Sequence, residues 1–238
     1  RQIQQAQAYY YGLVAWVEHD NPETHKLVAE MRARKFPVVL VDRYLDGVDV
    51  DSVSSDNDAI GYRLTQALLD KGHRRIGFAG LQEYPPSSIR ERLQGYRRAL
   101  DEADIAYDER IVGGERQRVQ ENPAKYANAF MALAQRPTAF VCIHDLVVKL
   151  LHDEILRLGY RVPGQVEFAA IDDGHPPERP ELTMVEVRQQ AHTIGAKSAA
   201  MLLERIAQPD MPARRTLIDP TQVQVGAEPT LKETSAAS

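Results

Sequence analysis

Cysteine is nearly absent from this chain of 238 residues, which contains only Cys142. A single cysteine excludes an internal disulfide framework, and no Cys-x-x-Cys pair indicates a zinc or redox site. No apolar run approaches the ~20 residues that a transmembrane helix needs. The first eight residues are polar and unlike the apolar centre of a signal peptide. These absences favour a cytoplasmic protein without a membrane partner, although a processed exported protein would look the same. Cys142 is predicted to be a small core residue.

The chain also has no excess of positive charge. It carries 29 Lys and Arg residues against 34 Asp and Glu residues, a net charge of -5. Domains that bind nucleic acids usually present a basic face, so this segment by itself is not expected to bind DNA. A hydrophobic content of 43% and a charged content of 26% are ordinary for a globular protein. The length allows one large domain or two smaller lobes.

Motifs of common catalytic and cofactor sites are missing as well. The chain has no Gly-x-Gly-x-x-Gly, no Gly-x-x-x-x-Gly-Lys-Ser/Thr and no Gly-x-Ser-x-Gly segment. Its seven histidines include no His-Glu-x-x-His pair. The sequence therefore predicts no metal ion, no cofactor and no catalytic residues.

Apolar strands alternate with helical segments along most of the chain, a pattern typical of a parallel α/β sheet. Asn21 is predicted to cap the first helix and Asp56 or Asn57 the second, which should stop at Gly72. The predicted helices are 22–34, 57–71, 88–103, 123–135, 145–158 and 190–207. The predicted strands are 11–17, 37–41, 50–54, 75–79, 111–112, 138–143 and 166–172, with short apolar runs at 216–218 and 222–225.

Two of these strands end in polar side chains. The strand that begins at Val166 ends on Asp172 and Asp173, and the strand before it is followed by His144 and Asp145. Open α/β sheets bind ligands outside the carboxyl ends of their strands. We therefore expect polar groups from both strand ends to converge on one small molecule.

Seven segments, spread over nearly the whole chain, occur in the order of one known family. They include Asp56-Asn57, Gly72-His-Arg-Arg-Ile76 and Pro137-Thr-Ala139; the full set lies at 36–43, 53–57, 72–78, 90–96, 137–145, 159–163 and 180–183. Together they resemble the effector-binding domain of the lactose-repressor/galactose-repressor family of bacterial transcription regulators. His144 departs from the pattern, because the family places Asn there.

The resemblance implies a two-lobed, periplasmic-binding-protein-like (type I) fold, with parallel sheets flanked by helices and three crossovers. The crossovers are expected near 80–81, 181–184 and 208–212. The first lobe would then hold 1–81 plus 184–208, and the second 82–183 plus 209–229, followed by a disordered tail at 230–238. Family domains begin with a strand, a helix and a second strand ahead of the point where this chain starts. The resemblance thus implies an N-terminally incomplete fold and a DNA-binding headpiece outside this chain.

The resemblance also implies a function. A sugar or sugar-like effector would bind in the cleft between the lobes, and a homodimer would bind operator DNA through the headpiece. Arg92 matches the family's effector-contacting arginine, although a solvated charge on a helix surface is the alternative. Its planar fork of donors suits vicinal hydroxyls or a carboxylate. Asp172 would accept hydrogen bonds from the ligand, and His144 would donate, accept or stack.

Four further residues are candidate ligand contacts. Trp16 would stack on a sugar ring, although a lone tryptophan on a strand is more often part of the core. Asp145 follows His144, but its position also suits a helix cap. Tyr84 could reach the cleft from its loop, and Arg116 lies near a position where family members place an aromatic residue in the cleft.

Two other functions are open at this stage. A solute-binding protein of a sugar transporter would share the two-lobed fold, but it would need an export signal. An α/β enzyme could use Asp172, Asp173 and His144 as acid and base, but it would need a nucleophile or a metal that the sequence does not offer. We therefore predict a non-enzymatic sensor.

Overall fold

A computed structural model describes residues 10–17, 20–81, 84–113, 121–172, 185–221 and 224–225. Its helices are α1 (Pro22–Ala33), α2 (Asn57–Asp70), α3 (Ser87–Glu102), α4 (Pro123–Met131), α5 (Asp145–Arg157) and α6 (Ala191–Ala207). Its strands are β1 (Leu13–Ala15), β2 (Val38–Val41), β3 (Asp51–Ser55), β4 (Ile76–Ala79), β5 (Ala139–Cys142), β6 (Glu167–Asp172), β7 (Val185–Arg188), β8 (Arg215–Ile218) and β9 (Gln224–Val225).

The strands form two separate sheets, one in each lobe. The first sheet has the order β1-β2-β3-β8 and all of its pairings are parallel. The second has the order β4-β5-β6-β7-β9, in which only the β7–β9 pairing is antiparallel. The predicted fold class is confirmed: two α/β lobes contain parallel sheets flanked by helices, and the described chain passes between the sheets three times.

The crossovers lie at other positions than the sequence predicted. The chain leaves the first sheet at Asp56, between β3 and α2, because β4 pairs with β5 in the second sheet. It returns after β7, at residues 189–190, and leaves again after β8. Residues 57–79 therefore pack with the second lobe, whereas β8 belongs to the first. An apolar run predicts a strand but carries no information about the sheet that the strand joins.

Local signals in the sequence are confirmed at several helix ends. The Asn21 side chain accepts a hydrogen bond from the Thr24 amide at 2.9 Å, and Asp56 caps α2 in the same way. Gly72 follows α2 with a φ of 93°, and its amide donates to the Leu69 carbonyl. Glycine is favoured at this position because other residues are strained in the left-handed region.

Two predicted elements differ in the structure. Helix α4 ends at Met131 rather than at residue 135. The predicted strand at 111–112 is reduced to one bridge between Phe78 and Val112, which follows a single 3-10 turn at Glu109–Ile111. The predicted tail at 230–238 lies outside the described residues.

The second lobe contains one continuous hydrophobic core, in which Phe78, Tyr96, Phe140 and Phe168 are among the largest fully buried side chains. Cys142 is part of this core, and burial raises the pKa of its thiol, so the residue is a poor nucleophile.

The first lobe instead has two smaller clusters, one on each face of its sheet. Val38 and Leu40 face α1, whereas Val39 faces α6 and packs with Met201. This division follows from the alternation of side chains along a strand.

Helices α2 and α3 are in backbone contact through two glycines. A Cβ atom on Gly61 would lie 1.9 Å from the Arg92 carbonyl oxygen, and one on Gly95 would lie 1.9 Å from that of Asp58. Only residues without a side chain allow this approach. The contact places Arg92 beside Asn57, at the point where the chain first changes lobe.

No helix in the described part of the chain is long and apolar enough to cross a membrane.

Candidate functional site

A cleft of about 250 Å³ lies where residues at the carboxyl ends of strands from both sheets meet the start of α3. Both lobes contribute to its wall. The carboxyl ends of strands are where open α/β sheets bind ligands. The lining residues are Trp16, Asp42, Arg43, Ser88, Ile89, Arg92, Ile143, His144 and Gln189.

The wall from the first lobe is a cluster of three side chains. The Trp16 indole Nε1 donates to Asp42 Oδ2 at 3.2 Å, and Arg43 Nε donates to the same oxygen at 3.3 Å. The Arg43 guanidinium also lies over the Trp16 ring, 4.7 Å from its centroid, and donates to the Val17 carbonyl. An indole ring, a carboxylate and a guanidinium are thus held together at the ends of β1 and β2.

Asp42 has an unusual backbone conformation, with a φ of 71° in the left-handed region. Its amide donates to the Val53 carbonyl of the neighbouring strand at 2.9 Å. Aspartate tolerates this conformation better than most residues, but it remains uncommon outside glycine. Strained backbone of this kind is concentrated at functional sites. Here the left-handed conformation of Asp42 changes the direction of the chain at the end of β2, where Asp42 and Arg43 line the cleft.

The wall from the second lobe centres on Arg92, which is only 8% exposed. Its Nε donates to Asn57 Oδ1 at 2.9 Å, and Nη1 donates to the Ile143 carbonyl at 2.7 Å. Asn57 is in turn fixed by a bond from its amide to the Ser55 carbonyl. The guanidinium is therefore oriented by the crossover segment and by the end of β5, and the alternative of a solvated surface charge does not apply.

His144 also lines the cleft, directly after β5. It occupies the cap position of α5 but makes no capping bond with its side chain. Asp145 is the first residue of the helix rather than its cap, and its Oδ1 accepts the Leu146 amide at 2.7 Å. Asp145 does not line the cleft, so the structure separates the two neighbours that the sequence had grouped.

The other predicted contacts have different outcomes. Tyr84 is 80% exposed and does not line the cleft. Asp172 is the last residue of β6, paired through its backbone with Arg188, but its side chain lies outside the described part of the structure. Arg116 also lies outside it. Of the seven predicted residues, the structure thus brings together Trp16, Arg92 and His144.

Sequence reasoning missed several lining residues. Asp42 and Arg43 directly follow a strand, so the rule that selected Asp172 would have selected them too. Ser88 lies one helical turn before Arg92, on the same face of α3. Gln189 had no such signal: it reaches the cleft because β7 ends beside the crossover, where its Oε1 accepts the Ser55 hydroxyl at 3.0 Å.

The described cleft offers hydrogen-bond donors, acceptors and an aromatic surface. Within the described ranges, no group of three or more His, Cys, Asp or Glu side chains could hold a metal ion. Guanidinium, carboxylate and amide groups are suited to a ligand that carries several hydroxyls or other small polar groups. A cavity of this size fits a molecule no larger than a small metabolite.

Known proteins share both the sequence pattern and the fold. The chain matches the family model of the periplasmic binding protein-like domain over residues 65–227. It is 30% identical over 183 residues to the HTH-type transcriptional repressor PurR of Photobacterium profundum, covering 74% of this chain and 53% of that protein. It is 28% identical over 191 residues to the ribose operon repressor of Haemophilus influenzae, covering 80% of this chain and 57% of that protein.

A solved structure, that of the transcriptional regulator CelR in complex with cellobiose, superposes with a TM-score of 0.79. The two are 25% identical, and the superposition covers 93% of this chain and 67% of that one. The chain spans about half the length of the curated relatives it matches. It belongs to the periplasmic binding protein-like domain family, in the form of the effector-binding domain of the lactose-repressor/galactose-repressor regulators.

Proposed function

We propose that this chain is the ligand-sensing part of a bacterial transcriptional repressor, and that it binds a sugar or a sugar-like metabolite in the cleft between its lobes. The observation that carries the proposal is the convergence of Trp16, Asp42, Arg43, Arg92 and His144 on one cavity from two separate sheets. A ligand that contacts both walls favours the arrangement in which they are close, and its binding energy shifts the lobes toward that arrangement.

Each candidate residue has a defined role in this proposal. Arg92 presents its guanidinium to ligand hydroxyls or a carboxylate, and Asp42 accepts hydrogen bonds from hydroxyls. Trp16 offers the ring face opposite Arg43 to the apolar face of a sugar. His144 contributes a ring nitrogen from the second lobe. Asp172, at the carboxyl end of β6, completes the proposed set.

The remainder of the proposal concerns the whole protein. The similar proteins are named as transcriptional repressors, which supports a regulator over a transport protein or an enzyme. We propose that the chain works in the cytoplasm as a homodimer, and that lobe movement changes the affinity of a separate headpiece for operator DNA.

The test is thermal unfolding of the chain with a panel of pentoses, hexoses, cellobiose, sugar acids and sugar phosphates. A ligand at 100 times its dissociation constant should stabilise the folded state by about 2.7 kcal/mol. Trp16 is the only tryptophan, so ligand binding should also change the intrinsic fluorescence directly.

Two substitutions on one helix serve as a matched pair. Arg92→Lys keeps the charge but loses the planar fork, and it should abolish most of the ligand-induced shift. Arg98→Lys changes an exposed arginine that pairs with Asp58 within the second lobe, and it should leave the shift intact. The proposed site would be contradicted if ligand raised the unfolding temperature of both variants equally, or if no ligand in the panel raised that of the unchanged protein.

A further inference from the structure

The first two turns of α3 have two different faces at the boundary between the lobes. Ser88 and Arg92 face the cleft, whereas Ser87, Arg90 and Glu91 contact the first lobe. These three residues do not line the cleft. Their bonds instead reach the segment before α1, the loop at residues 42–46 and the start of β8.

Ser87 fixes the backbone of the loop. Its hydroxyl accepts the Tyr44 amide at 2.9 Å and donates to the Tyr44 carbonyl at 3.0 Å. Ser87 is fully buried, so this reciprocal pair is shielded from water. The loop is the same one that carries Asp42 and Arg43 into the cleft. Ser87 therefore ties the position of the first-lobe wall to the helix that carries Arg92.

Charged contacts surround this pair. Arg90 Nη1 donates to Asp20 Oδ2 at 3.1 Å, and Nη2 pairs with Asp46. His25 holds Asp20 from its other side. Burial would raise the pKa of Asp20, but hydrogen bonds from His25 and Arg90 outweigh that effect and lower it. Asp20 thus stays ionised as a partner for Arg90.

The last contact involves Arg215 and the Tyr44 ring. Arg215, the first residue of β8, pairs with Glu91 and lies over the Tyr44 ring, 3.8 Å from its centroid. The three residues of α3 thus hold three separate parts of the first lobe. Their partners Asp20, Tyr44, Asp46 and Arg215 all belong to that lobe.

We propose that these contacts form an interlobe latch, in which Ser87, Arg90 and Glu91 hold the lobes together in the absence of ligand and thereby set its affinity. They are positioning residues, because they act through the arrangement of the two walls. The apparent affinity of a ligand falls with the fraction of molecules in the binding-competent arrangement. The role in affinity rests on the proposed function, whereas the effect on lobe arrangement does not.

The test measures the distance between the lobes without ligand. Spin labels at Glu30→Cys on α1 and Asp101→Cys on α3 report it by pulsed electron resonance, since both positions are exposed. Cys142 is buried and should stay unlabelled. In the parent protein we expect one narrow distance distribution. Ser87→Ala and Asp46→Asn should each add a population at longer distance, and 1 M salt should act like Asp46→Asn.

Arg98→Gln is the matched control. It removes a guanidinium from the same helix, but its partners Asp58 and Glu102 lie in the second lobe, so the distribution should not change. Asp46 is exposed, and Asp46→Asn should fold even if Ser87→Ala does not. An unchanged distribution in a folded Asp46→Asn variant would overturn the contribution of the Arg90–Asp46 pair to the latch. An unchanged distribution in a folded Ser87→Ala variant would overturn the role of the serine.

A second measurement is the dissociation constant of the ligand. For a sugar that shifts the melting temperature of the parent protein, a fall of the closed fraction to a tenth should raise the dissociation constant about tenfold in Ser87→Ala. Arg98→Gln should keep the parent value. If no sugar in the panel binds, the proposed function fails while the distance measurement still decides the latch. If a sugar binds equally well to both variants, the latch does not set affinity.

Discussion

The two lobes differ in how their cores are built. Among the described residues, the second lobe has a single cluster of 33 buried hydrophobic side chains, whereas the first has clusters of 7 and 5 on opposite faces of its sheet. Since burial of apolar area is the main source of stability, the first lobe should be the weaker of the two. It also depends more on a buried polar contact, which joins β3 to α6.

That contact is the ion pair between Asp51 and Arg205. Both Asp51 oxygens accept from the guanidinium, at 2.8 and 2.9 Å, and one of them also accepts the Arg214 amide. Arg205 further donates to the Pro212 carbonyl at 2.9 Å. The pair thus fastens the segment that leads into β8. In the second lobe, neighbouring segments are instead held together by aromatic packing, such as the contact between Phe130 and Phe140.

The largest expected effect is on the first lobe. Asp51→Ala leaves the Arg205 charge buried without its partner, and it should cost about 3–5 kcal/mol. In urea unfolding, Trp16 fluorescence should report a transition well below the one seen by far-UV circular dichroism. Asp210→Asn is the control, because it breaks only an exposed pair with Lys35. Coincident transitions in Asp51→Ala would show that the lobes unfold as one unit.

The next effect concerns the helix contact of the second lobe. Gly95→Ala forces a methyl group into the backbone of α2, and it should cost about 1–3 kcal/mol. It should also weaken ligand binding, since the helices must separate and Arg92 moves with them. Both losses can be measured by chemical unfolding and by ligand titration. Unchanged stability would mean that the two helices can part without cost.

A smaller effect of opposite sign is expected in the first lobe. Gly195 lies within α6 with no atom near the position of a Cβ. Gly195→Ala should therefore stabilise the protein by about 0.5–1 kcal/mol, through the reduced entropy of the unfolded chain. In urea unfolding, the midpoint of the first-lobe transition, reported by Trp16 fluorescence, should move to a higher urea concentration. The midpoint of the second-lobe transition should not change. A loss of stability would contradict the prediction that a methyl group at position 195 meets no other atom.

The smallest effect is expected at Asp108, and it should depend on pH. Hydrogen bonds from Arg110 and Arg75 outweigh burial and lower the pKa of Asp108. A lowered pKa in the folded state contributes stability above the unfolded pKa of about 4, and this is lost as pH falls through the folded pKa. Asp108→Asn should cost up to about 1 kcal/mol at pH 7. The difference should close in acid, and a constant difference from pH 7 to pH 2 would refute this origin.

Much of the fold could be predicted from the sequence. The spans of five helices, the caps at Asn21 and Asp56 and the stop at Gly72 all depend on residues within a few positions of each other. The sequence predicts a longer α4 than the structure has, and a strand at residues 111–112 where the structure has a single bridge.

Only part of the candidate site can be predicted from the sequence. The sequence indicates ligand contacts at the ends of β5 and β6, and the same rule applies to Asp42 and Arg43 at the end of β2. Gln189 could not have been selected, because its place in the cleft depends on where the chain changes lobe. Effector binding by Arg92 and the other residues that line the cleft stays a prediction, as it does for Asp172 and Arg116.

The amino-acid sequence alone indicates the alternation of strands and helices, most helix ends and the family, because these follow from residue types at short spacing. The sheet that each strand joins, and with it the position of the three crossovers, depends on the packing of the whole fold. The interlobe contacts are of the same kind: Ser87 meets Tyr44 across 43 positions, and Arg205 meets Asp51 across 154. Such pairs are selected by packing between distant segments, and no local pattern of residues encodes them.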